Sequence, residues 1–117
     1  MNKIPTRCFY KCYDSVSIVI PNNIKSISEL AFWNCRGLTS ITIPDSVTSI
    51  GDFAFWGCSG LTSITIPDSI TSISRGMLSG CSNLTNTIIS DKVTSINERA
   101  FENCNSLKSI NYLGTKS

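Results

Sequence analysis

Between residues 38 and 60 the apolar positions that look buried are Leu38, Ile41, Ile43, Val47, Ile50, Ala54, Phe55 and Cys58, set among Thr, Ser, Asp, Gly and Pro, with Phe53 and Trp56 beside them. The same spacing returns 23 residues later, and cysteine marks the beat at positions 12, 35, 58, 81 and 104. Within each unit the pattern changes character. Leu38, Ile41 and Ile43 sit among Thr and Ser, which reads as a short strand of β-branched residues. Pro44 ends it, because proline has no N–H to give to a ladder, and Pro21 and Pro67 stand at the same place. Val47 and Ile50 follow as a second, shorter strand or bend. A single helical turn comes next, since Ser28-Glu29, Gly51-Asp52 and Asn97-Glu98 place a capping residue before an acid at the positive end of a helix dipole. Arg75 after Ser74 keeps the cap and breaks the acid rule. Asn34, Gly57, Gly80 and Asn103, then Gly37, Gly60 and Asn83, are residues that tolerate a left-handed backbone where the turn ends.

A fixed period in this range is the signature of a solenoid, in which each unit buries its apolar face on its neighbours. The predicted strands are 15–20, 38–43, 61–66, 84–89 and 107–112, parallel in one sheet, with a second line near 47–50, 70–73 and 93–96. Eight positions per unit are expected inside. At roughly 1.5–3 kcal/mol for each large apolar side chain, stacked coils offset their ordering entropy where one coil alone does not.

The run Ile50-Gly-Asp-Phe-Ala-Phe-Trp-Gly-Cys58, followed by Leu61-Thr-Ser-Ile-Thr-Ile-Pro-Asp-Ser-Ile-Thr-Ser-Ile73, resembles the BspA-like class of leucine-rich repeats, with its 23-residue unit and Ala-Phe-x-x-Cys signature. The resemblance covers about residues 4–113. It is uneven: Cys8-Phe9 and Met77-Leu78 replace Ala-Phe in two units, and the fourth strand reads Thr87-Ile88-Ile89. It implies a leucine-rich-repeat arc with a parallel β-sheet on the concave face. It also implies a non-catalytic adhesion or interaction module, on a cell surface or secreted, that binds a host matrix or cell-surface protein. The expected organisation is one domain, residues 1–117, of about five repeats, a piece or a short relative of a longer array. The other reading is a structural unit that associates end to end through its terminal coils.

Composition narrows the partners. The net charge is +2, and the ten basic residues are scattered without the runs that mark a nucleic-acid surface. No stretch approaches the ~20 apolar residues that span a bilayer. Met1–Arg7 carries charge with no apolar segment behind it, so no secretory signal is expected there, and the chain is either cytoplasmic or a piece of a longer one whose signal lies elsewhere. With no histidine, neither a Ser-His-Asp nor a Cys-His arrangement can form, and Asp45, Asp68 and Asp91 read as turn residues at strand ends. No enzyme activity and no cofactor are expected.

Three sets of residues remain as candidates. Cysteines 23 apart form a column along the axis, which cannot supply the tetrahedron that zinc needs, so each is expected to be a small buried hydrophobe. A disulfide between Cys8 and Cys12 is the alternative at one end. A polar, uncharged strip is expected on the sheet, formed by Ser40, Thr42, Ser63 and Thr65, and continued by Asn86, Ile88, Ser109 and Asn111. It is either a solvated face or a broad contact for protein or glycan. An aromatic column places Tyr10, Trp33 and Trp56 at one repeat position, with Leu30 and Phe53 three residues before the tryptophans. Ser79 and Glu102 succeed the tryptophans, and Gly76 and Arg99 succeed Phe53. Ala-Phe already fills the inward direction, so the tryptophans should lie partly exposed. They serve either as packing between coils or as an interface hot spot.

Overall fold

In a computed structural model, residues 3–5, 13, 15–97 and 99–112 are described. Among the described residues a unit folds into a coil with one long strand, one short strand and a return through turns. The strands are β1 (Lys3–Ile4), β2 (Val16–Val19), β3 (Ser26–Ile27), β4 (Leu38–Thr42), β5 (Ser49–Ile50), β6 (Ser63–Ile66), β7 (Ser72–Ile73), β8 (Asn86–Ile89), β9 (Ser95–Ile96) and β10 (Ser109–Tyr112). Every pairing is parallel and joins residues about one repeat apart, as in Ile64 with Thr87 and Ser26 with Ser49. The long strands form the sheets β2-β4 and β6-β8-β10, and the short ones β1-β3-β5 and β7-β9. The chain is therefore the expected parallel-strand solenoid, and the eight strands that were predicted begin or end within two residues of their ranges; β1 and β3 were not predicted, and the long strands form two sheets where one was expected.

The predicted inward positions form the core and are all buried in the two middle coils, whereas Ile18, Phe101 and Cys104 at the same positions of outer coils are half-buried. Leu38, Ile41, Ile43, Val47, Ile50, Ala54, Phe55 and Cys58 are all buried, as are Leu61, Ile64, Ile66, Ile70, Ile73, Met77, Leu78 and Cys81 one coil on. Phe32 and Phe55 stack inside with ring centroids 5.1 Å apart and planes 8° from parallel. The fourth coil is the weakest copy. Thr87 is buried where Ile41 and Ile64 stand in other coils, and its Oγ1 has no hydrogen-bond partner. Ile96 lies on the last described short strand and is 51% exposed.

The predicted helical turn comes out as linked β-turns, and no described residue is helical. Ala54 N–H donates to Gly51 O (3.3 Å), Trp56 N–H to Phe53 O (3.2 Å) and Cys58 N–H to Phe55 O (3.2 Å). The alternate amides point along the axis instead, with Phe53 N–H on Arg75 O (2.9 Å), Phe55 N–H on Met77 O (3.0 Å) and Gly57 N–H on Ser79 O (2.8 Å). A helix would spend every N–H within its own segment. Here half of them tie one coil to the next, and that requires left-handed residues twice per coil. Asn34, Gly57, Gly80 and Asn103 hold one such place, as predicted, with φ between 60° and 79°. Leu30, Phe53, Gly76 and Arg99 hold the other, with φ of 57° to 62°. Gly37, Gly60 and Asn83, expected to share the left-handed backbone, do not adopt it, and Gly60 is glycine for another reason: a Cβ there would lie 2.4 Å from Arg36 O of the preceding coil.

Among the described residues no helix is long and apolar enough to cross a membrane.

Candidate functional site

The turns carry the aromatic residues to the outside of the coil. Trp33 and Trp56 are half-buried and stacked, with centroids 5.2 Å apart and planes at 10°. Each occupies the residue between the inward Phe and the left-handed position, so its ring runs along the axis over the next coil's equivalent. Tyr10, the third member of the predicted column, lies outside the described residues. Phe53 is half-buried as well, and its ring covers Gly76 so closely that a Cβ on Gly76 would fall 2.4 Å from two ring carbons. The guanidinium of Arg75 sits 6.0 Å from the Phe53 centroid, within cation–π range. Leu30 holds the same place one coil earlier and is also half-buried.

Backbone conformation sets this ridge apart. A left-handed backbone costs a side chain with a Cβ roughly 1–2 kcal/mol, and glycine escapes that cost. Leu30 and Phe53 nevertheless take it, while Gly76 is the relaxed choice in the third coil. In that coil Gly76 and Ser79 are both buried and the ridge ends.

The polar strip is where the sequence put it. Ser40, Thr42, Ser63 and Thr65 are exposed on the long strands. Ser17 Oγ and Ser40 Oγ lie 2.9 Å apart, and Val19, in register with Thr42, extends the rank at 72% exposure. The strip rides on the strands and the aromatic ridge on the turns, so they are separate features.

One contact was not foreseen. Tyr13 is 57% exposed, and the Arg36 guanidinium lies 5.9 Å from its ring centroid. The signal was available, because Tyr13 and Arg36 occupy the same repeat position in successive coils.

Cys35, Cys58 and Cys81 are buried free thiols, and Cys104 is a half-buried one. Cys58 Sγ donates to Phe32 O (3.1 Å), Cys81 Sγ to Phe55 O (3.3 Å) and Cys104 Sγ to Leu78 O (3.1 Å). Each of Phe55 O and Leu78 O already accepts a backbone N–H from its own coil, so the thiol uses the second lone pair of the carbonyl. Cysteine fits because it is apolar enough to bury and still offers a weak donor. Burial, reinforced by neighbouring thiols of the column, pushes Cys58 well up from the ordinary value. The same causes push Cys81 up to about 12, and burial alone raises Cys104. The raised values disfavour the thiolate that alkylating reagents need. Cys8 and Cys12 lie outside the described residues.

Parallel strands stacked once per repeat, an inward Leu/Ile/Phe set and turns in place of long helices define a solenoid of the leucine-rich-repeat class. The model of the BspA type leucine rich repeat region matches residues 2–116 in six copies, and the chain belongs to that family. The crystal structure of a T. pallidum leucine-rich repeat protein is similar at 30% identity over 92% of this chain and 50% of that one, with a TM-score of 0.87. A leucine-rich cell surface protein from Faecalibacterium prausnitzii is 31% identical over 88% of this chain and 33% of its own, with a TM-score of 0.68. A leucine-rich repeat protein from Bacteroides ovatus is 25% identical over 92% and 40%, with a TM-score of 0.54. The chain thus spans half or less of the length of these relatives. A comparison with curated proteins finds no match. A protein-interaction or structural role, of a generally non-catalytic kind, is what the family and fold support.

Proposed function

We propose that this chain is one leucine-rich-repeat domain of about five repeats, serving as a protein-binding module of a surface adhesin. Its partner is a protein of a host matrix or of another cell's surface. The contact is the ridge formed by Trp33, Trp56 and Phe53, to which Tyr10 belongs by repeat position, and the strip Ser40, Thr42, Ser63 and Thr65 on the strands is a second, separate polar surface. The observation that carries this reading is that the third coil closes without the ridge. Gly76 and Ser79 replace Phe53 and Trp56, yet Met77, Leu78 and Cys81 are fully buried. Large aromatic side chains that a coil does not need for closure, and that sit half-exposed, are the material of interface hot spots. A location on the cell surface agrees with the similar Faecalibacterium protein, itself described as a cell surface protein.

The test is the double variant Trp33→Ser/Trp56→Ser, which writes the third coil's residue into the first two. Retention on immobilised matrix proteins and on host cells should fall by tenfold or more, while the cooperative unfolding transition is kept. Full retention by a folded double variant would overturn the assignment of the ridge.

A further inference from the structure

The central junction of the solenoid, between residues 38–60 and 61–83, is bonded differently from the junctions on either side. On the N-terminal side, Ile20 N–H meets Thr42 O (3.2 Å), Thr48 N–H meets Lys25 O (2.8 Å) and Gly51 N–H meets Ile27 O (2.8 Å). On the C-terminal side, Thr85 N–H meets Thr62 O (2.9 Å), Thr94 N–H meets Thr71 O (2.8 Å) and Asn97 N–H meets Ile73 O (2.9 Å). By the repeat, the central junction should join Thr62 to Thr39, Thr71 to Thr48 and Ser74 to Ile50. None of these three backbone bonds is made among the described residues. β4 and β6 consequently belong to different sheets, and so do β5 and β7.

The threonine side chains report the same break. Thr39 Oγ1 donates to Val16 O, Thr48 Oγ1 to Lys25 O, Thr85 Oγ1 to Thr62 O and Thr94 Oγ1 to Thr71 O, each one repeat apart. The matching rungs from Thr62 and Thr71 across the central junction are missing among the described residues. Two serine hydroxyls stand in for the ladder there, Ser69 Oγ on Val47 O and Ser74 Oγ on Ile50 O. At this very junction the turn side is fully bonded, through Phe53, Phe55 and Gly57 to Arg75, Met77 and Ser79. The Phe53 ring, seated on Gly76, closes the same side.

We propose that the solenoid consists of two rigid coil stacks hinged at this junction. The hinge line is the turn ladder, and the strand side opens and closes. Opening breaks no strand ladder bond, because none spans the junction, and a serine hydroxyl follows the movement by changing rotamer where a backbone rung does not. Swinging about the turn line leaves its three backbone bonds in place while it changes the angle between the two halves of the strand face. Exposed strips on β4 and β6 then meet a partner at an adjustable curvature.

Amide hydrogen exchange resolved by NMR on the full chain tests this. The amides of Thr62, Thr71 and Ser74 should exchange at least tenfold faster than those of Thr85, Thr94 and Asn97. Phe53, Phe55 and Gly57 should stay as protected as Leu78 and Gly80. Equal protection of Thr62 and Thr85 would show that the strand side is closed in solution. Loss of protection at Phe55 and Gly57 together with Thr62 would show that the junction melts as a whole, and either result overturns the hinge. Relaxation dispersion supplies the second arm, because hinge motions fall in the μs–ms range. Exchange broadening is expected for residues of β5, β6 and β7, growing in the Ser69→Ala/Ser74→Ala chain. Flat profiles in both chains would show a rigid junction and end the proposal.

Discussion

Residues 38–46 and 61–69 are the same nine letters, Leu-Thr-Ser-Ile-Thr-Ile-Pro-Asp-Ser, and apart from Val47 against Ile70 the coils they begin part company only in the turns. In the second coil the turn reads Phe53-Ala54-Phe55-Trp56, and in the third Gly76-Met77-Leu78-Ser79. Both interiors are full: Ala54 with Phe55 and Met77 with Leu78 are buried alike. Close-packed cores accept such exchanges when volume and direction are kept. The outer positions behave otherwise, since an aromatic pair gives way to glycine and serine with no loss of burial in the coil that receives them. The comparison separates two kinds of aromatic residue. Phe55 fills the coil and is structurally replaceable only by a similar volume, while Phe53 and Trp56 lie outside it, Phe53 over Gly76 of the next coil and Trp56 against Trp33.

The largest effect expected from breaking this comparison is at the inward ring. Phe55→Ala removes a fully buried side chain stacked on Phe32 and should cost about 3–5 kcal/mol, against about 2–5 for Leu78→Ala. Urea denaturation of both variants checks the order, and a Phe55→Ala cost below that of Leu78→Ala would mean the stack contributes nothing beyond volume.

Alkaline pH attacks both coils through their thiols. With folded values raised above the ordinary 9.0, Cys58 and Cys81 hold their protons more tightly in the folded chain than in the unfolded one. Their contribution is complete below pH 9 and is lost as pH climbs toward about 12, where Cys81 titrates in the folded state. In that window each thiol should remove roughly 1 kcal/mol per pH unit. Denaturation at pH 8 and at pH 10.5 measures the slope, and Cys81→Ala should reduce it by one thiol's share. An unchanged slope in that variant would show that other groups carry the alkaline loss.

Gly76→Ala forces a Cβ into the space of the Phe53 ring at a left-handed backbone, and should cost about 1–2 kcal/mol from the backbone alone. Adding Phe53→Ala relieves the overlap, so a double-mutant cycle should show coupling between the two positions. Strict additivity would mean that Phe53 swings clear at no cost. The smallest effect has the opposite sign. Thr87→Val exchanges a buried, unpartnered hydroxyl for a methyl where Ile41 and Ile64 stand in other coils, and should stabilise the chain by about 1 kcal/mol. A loss of stability on thermal unfolding would show the hydroxyl to be bonded in solution.

The repeat period and the identity of the inward residues were legible in the sequence because burial is a local demand repeated every 23 residues. Each coil must present the same apolar set to the same neighbour, so Leu38, Ile41, Phe55 and Cys58 declare themselves by recurrence. Asn34, Gly57, Gly80 and Asn103 were legible because their own chemistry permits the left-handed backbone they adopt. Leu30, Phe53 and Arg99 adopt it too, and nothing in their chemistry says so. Only the stacked structure decides that, because alternate peptide planes must turn along the axis to reach the next coil's carbonyls. The same need turned the expected helix into β-turns: where an N–H goes depends on which carbonyl a neighbouring coil brings within reach. The aromatic ridge divides the same way. Its residues were visible as a column, but the burial of Gly76 under Phe53, the exposure of Ile96 and the break between β4 and β6 are properties of neighbours, and a residue's neighbours across coils exist only once the chain has stacked.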